Sequence, residues 1–126
     1  PSRSAHAFSV GLFRSWDHPE VVILGLAEAD LPEAIVRVAE RVREGERFEP
    51  GDLAEGLVER GAVAFRRVAT RHYPANLGHA VWYHGGTHFP ALQAVWADEA
   101  GHFPWERWCA RASREAQPVL FESEPA

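Results

Sequence analysis

Five of the seven histidines, His72, His79, His84, His88 and His102, fall in the C-terminal half of the chain. They are interleaved there with Tyr73, Trp82, Tyr83, Trp96, Trp105 and Trp108. Histidine titrates nearest to neutrality, and aromatic walls with a few convergent polar groups are the usual fabric of small-molecule sites. Two further clusters mix carboxylate and imidazole: Asp17, His18 and Glu20 near the start, and Asp98, Glu99 and His102 near the end. If they met beside Trp105 in a partly dry pocket, burial would raise a carboxylate pKa and lower an imidazole pKa. That would leave one proton donor and one acceptor near neutrality. His18, Glu20, Asp98 and His102 are therefore the candidate catalytic residues, and Trp16, His79, Trp82, Tyr83, Trp96 and Trp105 the candidate ligand-binding ones. The plainer alternative is that Asp17 and Asp98 make turn hydrogen bonds and Glu20 pairs with an arginine.

Other chemistries find less support. His84 and His88 are spaced i, i+4, but Gly85 and Gly86 stand between them, and neither an HExxH nor a CxxC motif occurs; no metal is expected. Gly85-Gly86 is neither a phosphate-binding loop nor a dinucleotide fingerprint, so no cofactor is expected either. Cys109 has Arg107 and Arg111 nearby, which would favour a thiolate, yet a lone cysteine is more often a small buried hydrophobe. Ser9, Ser15 and Ser113 carry no nucleophile-elbow motif.

The elements that must position these residues follow from pattern. Ala7–Phe13 is expected as a strand, Ser15–Pro19 as a turn, and Glu20–Leu26 as a central strand buried on both faces, the first two strands pairing as an antiparallel hairpin. Asp30-Leu31-Pro32-Glu33 has capping-box spacing. Leu31, Ala34, Ile35, Val38 and Val42 make one stripe, and Gly45 sits at a C′ position, so Asp30–Glu44 is expected as one long helix. Residues 53–59 fit a short helix or an irregular strand equally well. Gly61–Val68 and Ala91–Trp96 are expected strands. Asn76–Tyr83 is an expected short helix with Leu77, Ala80, Val81 and Trp82 turned inward. Residues 97–108 are irregular, and 118–126 form a loose tail. The result is a single α+β domain spanning 1–126, with a mainly antiparallel sheet packed by one long helix and shorter helical segments.

Composition narrows the partners. The net charge is −5, with 13 basic residues, all arginine, against 18 acidic ones, which disfavours nucleic acid. No apolar stretch approaches a membrane span. A single cysteine and no recognisable secretion signal lead to the expectation of a cytoplasmic protein. A homo-oligomer is compatible with all of this.

Phe8-Ser9-Val10-Gly11-Leu12, His18-Pro19-Glu20, Leu24-Gly25-Leu26, Leu92-Gln93-Ala94-Val95-Trp96, Asp98 and Gly101-His102-Phe103-Pro104-Trp105 occur in order along the chain. Together they resemble the bacterial family called domain of unknown function 4262. Members commonly carry Tyr-Thr where Phe8-Ser9 stands, and Pro where Ala97 stands. The resemblance implies a bacterial, often actinobacterial, origin and a shared architecture around Glu20, Gln93, Trp96, Asp98 and Trp105, but no activity. The functional expectation is a small enzyme or enzyme-like binder acting on a modest organic metabolite by non-covalent acid–base chemistry. A cofactor-independent lyase, isomerase, cyclase or hydrolase would fit, with a role in biosynthesis. The alternative is a protein-interaction module, an immunity or regulatory partner, without catalysis.

Overall fold

A computed structural model of the chain describes residues 6–25, 30–59 and 61–121. Strand β1 (His6–Phe8) gives way at Gly11 to one helical turn, α1 (Leu12–Trp16). Strand β2 (Glu20–Leu24) and the long helix α2 (Asp30–Arg43) follow. Strands β3 (Leu53–Glu55) and β4 (Ala62–Arg67) come next, then a 3-10 turn at Thr70–His72 and two short helices, α3 (Tyr73–Asn76) and α4 (Gly78–His84). Strand β5 (Ala91–Trp96) and helix α5 (Arg111–Ala116) complete the described residues. The strands form one sheet in the order β1-β2-β5-β4-β3. Every neighbouring pair is antiparallel except β2 and β5, which run parallel with Glu20 beside Ala91.

The sheet is covered on both faces, which is why β2 is buried at all five positions. On one face Val21, Ile23, Val63, Phe65, Leu92 and Ala94 pack under Leu31, Ala34, Val38 and Val42 of α2. On the other, Val22, Leu24 and Ala91 pack with Tyr73, Leu77, Ala80, Phe89 and Leu120. Period-2 alternation along the strands thus divides one core into two.

Helix α2 ends as its glycine suggests. The Gly45 N–H meets the Val42 carbonyl and the Glu46 N–H meets that of Arg41, a Schellman close with Gly45 at φ +104°. At its start Asp30 is already helical rather than the expected N-cap, and the residues before it, with Leu26 of the second expected strand, lie outside the described residues.

Several expectations are corrected. The first strand stops at Phe8 because Gly11 adopts φ +114° and turns the chain into α1. Trp82 points outward, 79% exposed, because Leu77 and Ala80 already fill the inner face of α4. Residues 111–116, for which the sequence carried no expectation, are helical. The segment 118–121 is fastened, not loose: buried Gln93 donates from Nε2 to the Pro118 carbonyl at 2.9 Å and accepts the Leu120 N–H at 2.8 Å. Residues 122–126 lie outside the described residues.

Candidate functional site

Helix α1 is a single turn whose first residues follow a glycine, so its own N-terminus offers no side chain to satisfy the free amides. Glu20 supplies that cap from the next strand. Its carboxylate, fully buried, accepts the N–H groups of Gly11 at 2.8 Å, Leu12 at 3.1 Å and Phe13 at 3.4 Å. The Ser9 hydroxyl donates to it at 2.6 Å and in turn accepts the Val21 N–H at 2.9 Å. A fifth partner arrives from α4, where His84 Nε2 lies 2.7 Å from Glu20 Oε2. The imidazole is walled by Phe13, Tyr83 and Phe89, with ring centroids 5.8, 5.0 and 4.5 Å away. Glu20 therefore joins β1, α1, β2 and α4 at one point.

His18 is also wholly buried. Its Nδ1 donates to the Pro19 carbonyl at 2.8 Å, which fixes the tautomer, and its Nε2 accepts the Phe48 N–H at 2.9 Å. Burial pushes its pKa below the ordinary value of 6.5, and the nearby Arg47 guanidinium adds to that effect, against opposition from the Pro19 hydrogen bond and Glu20. Arg47 itself clamps the end of α1, donating to the Asp17 carbonyl at 2.6 Å. Asp17 is the one described non-glycine residue at positive φ.

Asp98 organises the loop after β5. Its Oδ1 accepts the N–H groups of Ala100 and His102 at 3.0 and 2.8 Å, and its Oδ2 accepts that of Ala110 at 2.7 Å. These bonds, that of Ala110 foremost, hold its pKa below the usual 3.8. His102 Nδ1 is buried without a hydrogen-bond partner, 3.9 Å from Asp98 Oδ1. Cys109 is buried, and burial pushes its thiol pKa up, with Asp98 adding to that effect against the opposing Arg114 guanidinium.

The two carboxylate–imidazole clusters do not meet. Glu20 pairs with Ala91 at the start of β5, whereas Asp98 follows that strand's last residue, Trp96. Seven residues at about 3.3 Å each separate the two by on the order of 20 Å. The expected shared pocket is thereby corrected: a parallel pairing of β2 and β5 puts the residue that begins one and the residue that follows the other at opposite ends of the sheet. The expected aromatic walls are dispersed too. Trp16, His79, Trp82 and Tyr83 are exposed on the helices α1 and α4. Trp105 stacks on Phe103 at 5.0 Å beneath the Arg66 guanidinium at 4.4 Å. Only Trp96 and Asp98, of the ten, line the cleft at the far end of the sheet.

That cleft, about 990 Å³, lies at the end of the sheet where β2 and β5 finish and β4 begins. Trp96, held by an indole N–H bond of 2.7 Å to the Leu24 carbonyl, and Phe103 provide aromatic wall. Among the described residues, Asp30, Glu33, Glu59, Asp98 and Glu99 provide five carboxylates and Arg37 one guanidinium. Asp98 is committed to the loop and Glu33 is shared with Arg37 at 2.6 Å, while Asp30, Glu59 and Glu99 are exposed. Asp30, Glu33 and Glu59 were not legible as site residues, because a carboxylate on an amphipathic helix or in a turn looks like any solvated one. Among the described residues no group of three or more His, Cys, Asp or Glu is placed to hold a metal ion, and no helix is long and apolar enough to cross a membrane.

The sequence model of the family described as Domain of unknown function (DUF4262) matches residues 1–110. No curated protein and no solved structure matches the chain.

Proposed function

The chain belongs to the DUF4262 family, and we propose that it is a small-molecule binding domain whose ligand is a compact organic cation. The observation that carries this reading is the cleft of about 990 Å³ to which the described residues bring five carboxylates, one arginine and the Trp96 and Phe103 rings. A protonated amine entering it would meet exposed Asp30, Glu59 and Glu99, with aromatic faces for its body, the combination that suits an organic cation. The strand ends and the α2 N-terminal turn give the walls a rigid base. Binding is better supported than proton transfer: His18 and Asp98 spend their hydrogen bonds on backbone groups, and Glu20 spends its own on three amides, the Ser9 hydroxyl and His84. A reducing, cytoplasmic setting accords with the lone buried Cys109.

Calorimetric titration with a panel of primary amines and guanidines, against matched neutral alcohols and carboxylates, tests the proposal. Saturable binding confined to the cations, weakened by Glu59→Gln with Glu99→Gln, is expected. Equal response to the alcohols, or indifference to both substitutions, would refute it.

A second reading, a protein-interaction module, is favoured by Trp82, which is 79% exposed beside Tyr83, itself capped by Arg14 at 5.9 Å. The two readings use different surfaces: Trp82→Ala should leave amine binding unchanged.

A further inference from the structure

Along an antiparallel strand the backbone N–H and C=O groups point alternately toward one neighbour and toward the other. Strand β3 stands last in the sheet, so every second residue turns its backbone away from any strand. The Phe65 N–H meets the Asp52 carbonyl at 2.9 Å, and Leu53 pairs with Ala64, Ala54 with Val63 and Glu55 with Ala62. Asp52 and Ala54 therefore bond to β4, while Leu53 and Glu55 turn their N–H and C=O groups outward. The Leu53 side chain is 65% exposed, so the edge is bare at that position. At Glu55 it is not. Arg41 reaches over from α2 and donates from Nη1 to the Glu55 carbonyl at 2.6 Å. Its guanidinium is fixed in that pose: Glu46 accepts from Nε at 3.0 Å and from Nη2 at 2.8 Å, and the centre of the Phe48 ring is 5.5 Å away. All three guanidinium nitrogens are committed, and the one aimed at the sheet is committed to its open edge.

We infer that Arg41 is a built-in block on the β3 edge, which keeps the chain from pairing edge to edge with a second copy of itself. Without it the edge is self-complementary. A two-fold axis at Ala54 sets Leu53 of one copy opposite Glu55 of the other, twice, with four N–H···O=C bonds between them. Two of those four need a Glu55 carbonyl, one from each copy, and that is the group Arg41 occupies. The guanidinium also stands where the second backbone has to come, about 4.8 Å from the first. The two bonds that remain, on a strand of three residues, do not offset the freedom lost on association. Arg41, Leu53 and Glu55 take no part in the wall of the amine cleft, so this inference stands apart from the proposed ligand.

Sedimentation velocity of the full chain over a range of concentrations, with amide exchange read from nitrogen–proton correlation spectra, tests the block. In the parent the Leu53 and Glu55 amides are expected to exchange freely at every concentration. Arg41→Ala should raise the self-association constant about tenfold or more and protect those two amides. Glu46→Ala, at an exposed position, unclamps the guanidinium and should give a smaller rise of the same kind; it decides the matter should Arg41→Ala not fold. Leu53→Pro added to Arg41→Ala removes an outward donor without touching a bond to β4, and should abolish the gain in association. The inference is overturned if Arg41→Ala, or Glu46→Ala in its place, associates no more than the parent. It is equally overturned if association appears while the two amides still exchange freely, if it survives Leu53→Pro, or if the parent's own β3 amides become protected as concentration rises.

Discussion

His84 Nε2 sits 2.7 Å from Glu20 Oε2, 64 residues apart in the chain, and the pair closes a five-donor shell around one buried carboxylate. An amide at position 20 would turn an NH2 group toward donors on whichever side it pointed. Glu20→Gln is therefore expected to cost about 3–5 kcal/mol, the usual loss when one partner of a buried charged set is removed. His84→Gln leaves the other four donors and should cost less, about 1.5–3 kcal/mol. Denaturant unfolding at neutral pH ranks the two; near-equal losses would show that the carboxylate is not the hub.

The Ser9 hydroxyl tests the same hub from the other side. It donates to Glu20 and accepts from the Val21 amide, so Ser9→Ala strands the buried Val21 N–H and removes one of the five donors to Glu20, and is expected to lose about 1–3 kcal/mol. Ser9→Thr keeps the hydroxyl at a strand end that suits a β-branched residue and should fall within about 1 kcal/mol of the parent.

His18 gives the protein an acid limit. Its pKa is lowered in the folded chain from 6.5, chiefly by burial, so the unfolded chain binds the proton more readily. Stability is present in full above about pH 6.5 and is lost as pH falls from there toward the lowered folded value. The slope is at most about 1.4 kcal/mol per pH unit for one proton. Unfolding free energies measured from pH 7.5 to 5 should show this decline, and His18→Gln should flatten it. A parent and variant with parallel pH profiles would assign the decline to other groups.

Much of the architecture could be read from residue pattern, because each signal was local. The β-branched run at Val21–Ile23, the apolar stripe of α2 and the closing glycines Gly45 and Gly85 all acted as their own chemistry dictates. What pattern could not reveal was long-range. The pairing of β2 with β5 is parallel, and nothing in either strand announces direction, so the expected meeting of Glu20 with Asp98 failed. Helix α5 carries no buried residue and hence no apolar stripe, which hid it. Glu20 and Asp98 were candidate site residues because they are titratable and Trp96 because it is aromatic, while Gln93 shared their resemblance motif. Their polar atoms in fact cap a helix turn, anchor residues 118–120, bond the Leu24 carbonyl and brace a loop.

Gly25 links that scaffold to the proposed cation cleft. It adopts φ +84°, and a Cβ there would collide with the Ala116 carbonyl oxygen and approach the Trp96 ring at 3.1 Å. The backbone at 116 cannot yield easily, since buried Gln117 next to it clasps Trp96 through both its amide groups, accepting the Trp96 N–H and donating to the Trp96 carbonyl. Gly25→Ala should therefore combine positive-φ strain, about 1 kcal/mol or more, with displacement of α5. Helix α5 contributes Ser113 to the cleft wall and Trp96 its ring. The expected outcome is a chain that keeps its sheet, as shown by unchanged amide protection in β2 and β5. It should also show an altered Trp96 indole signal and weakened binding of amines. Loss of amine binding without any change at Trp96 would place the ligand elsewhere. An unchanged Trp96 signal together with parent-like binding would show that α5 moves freely over Gly25 and does not shape the cleft.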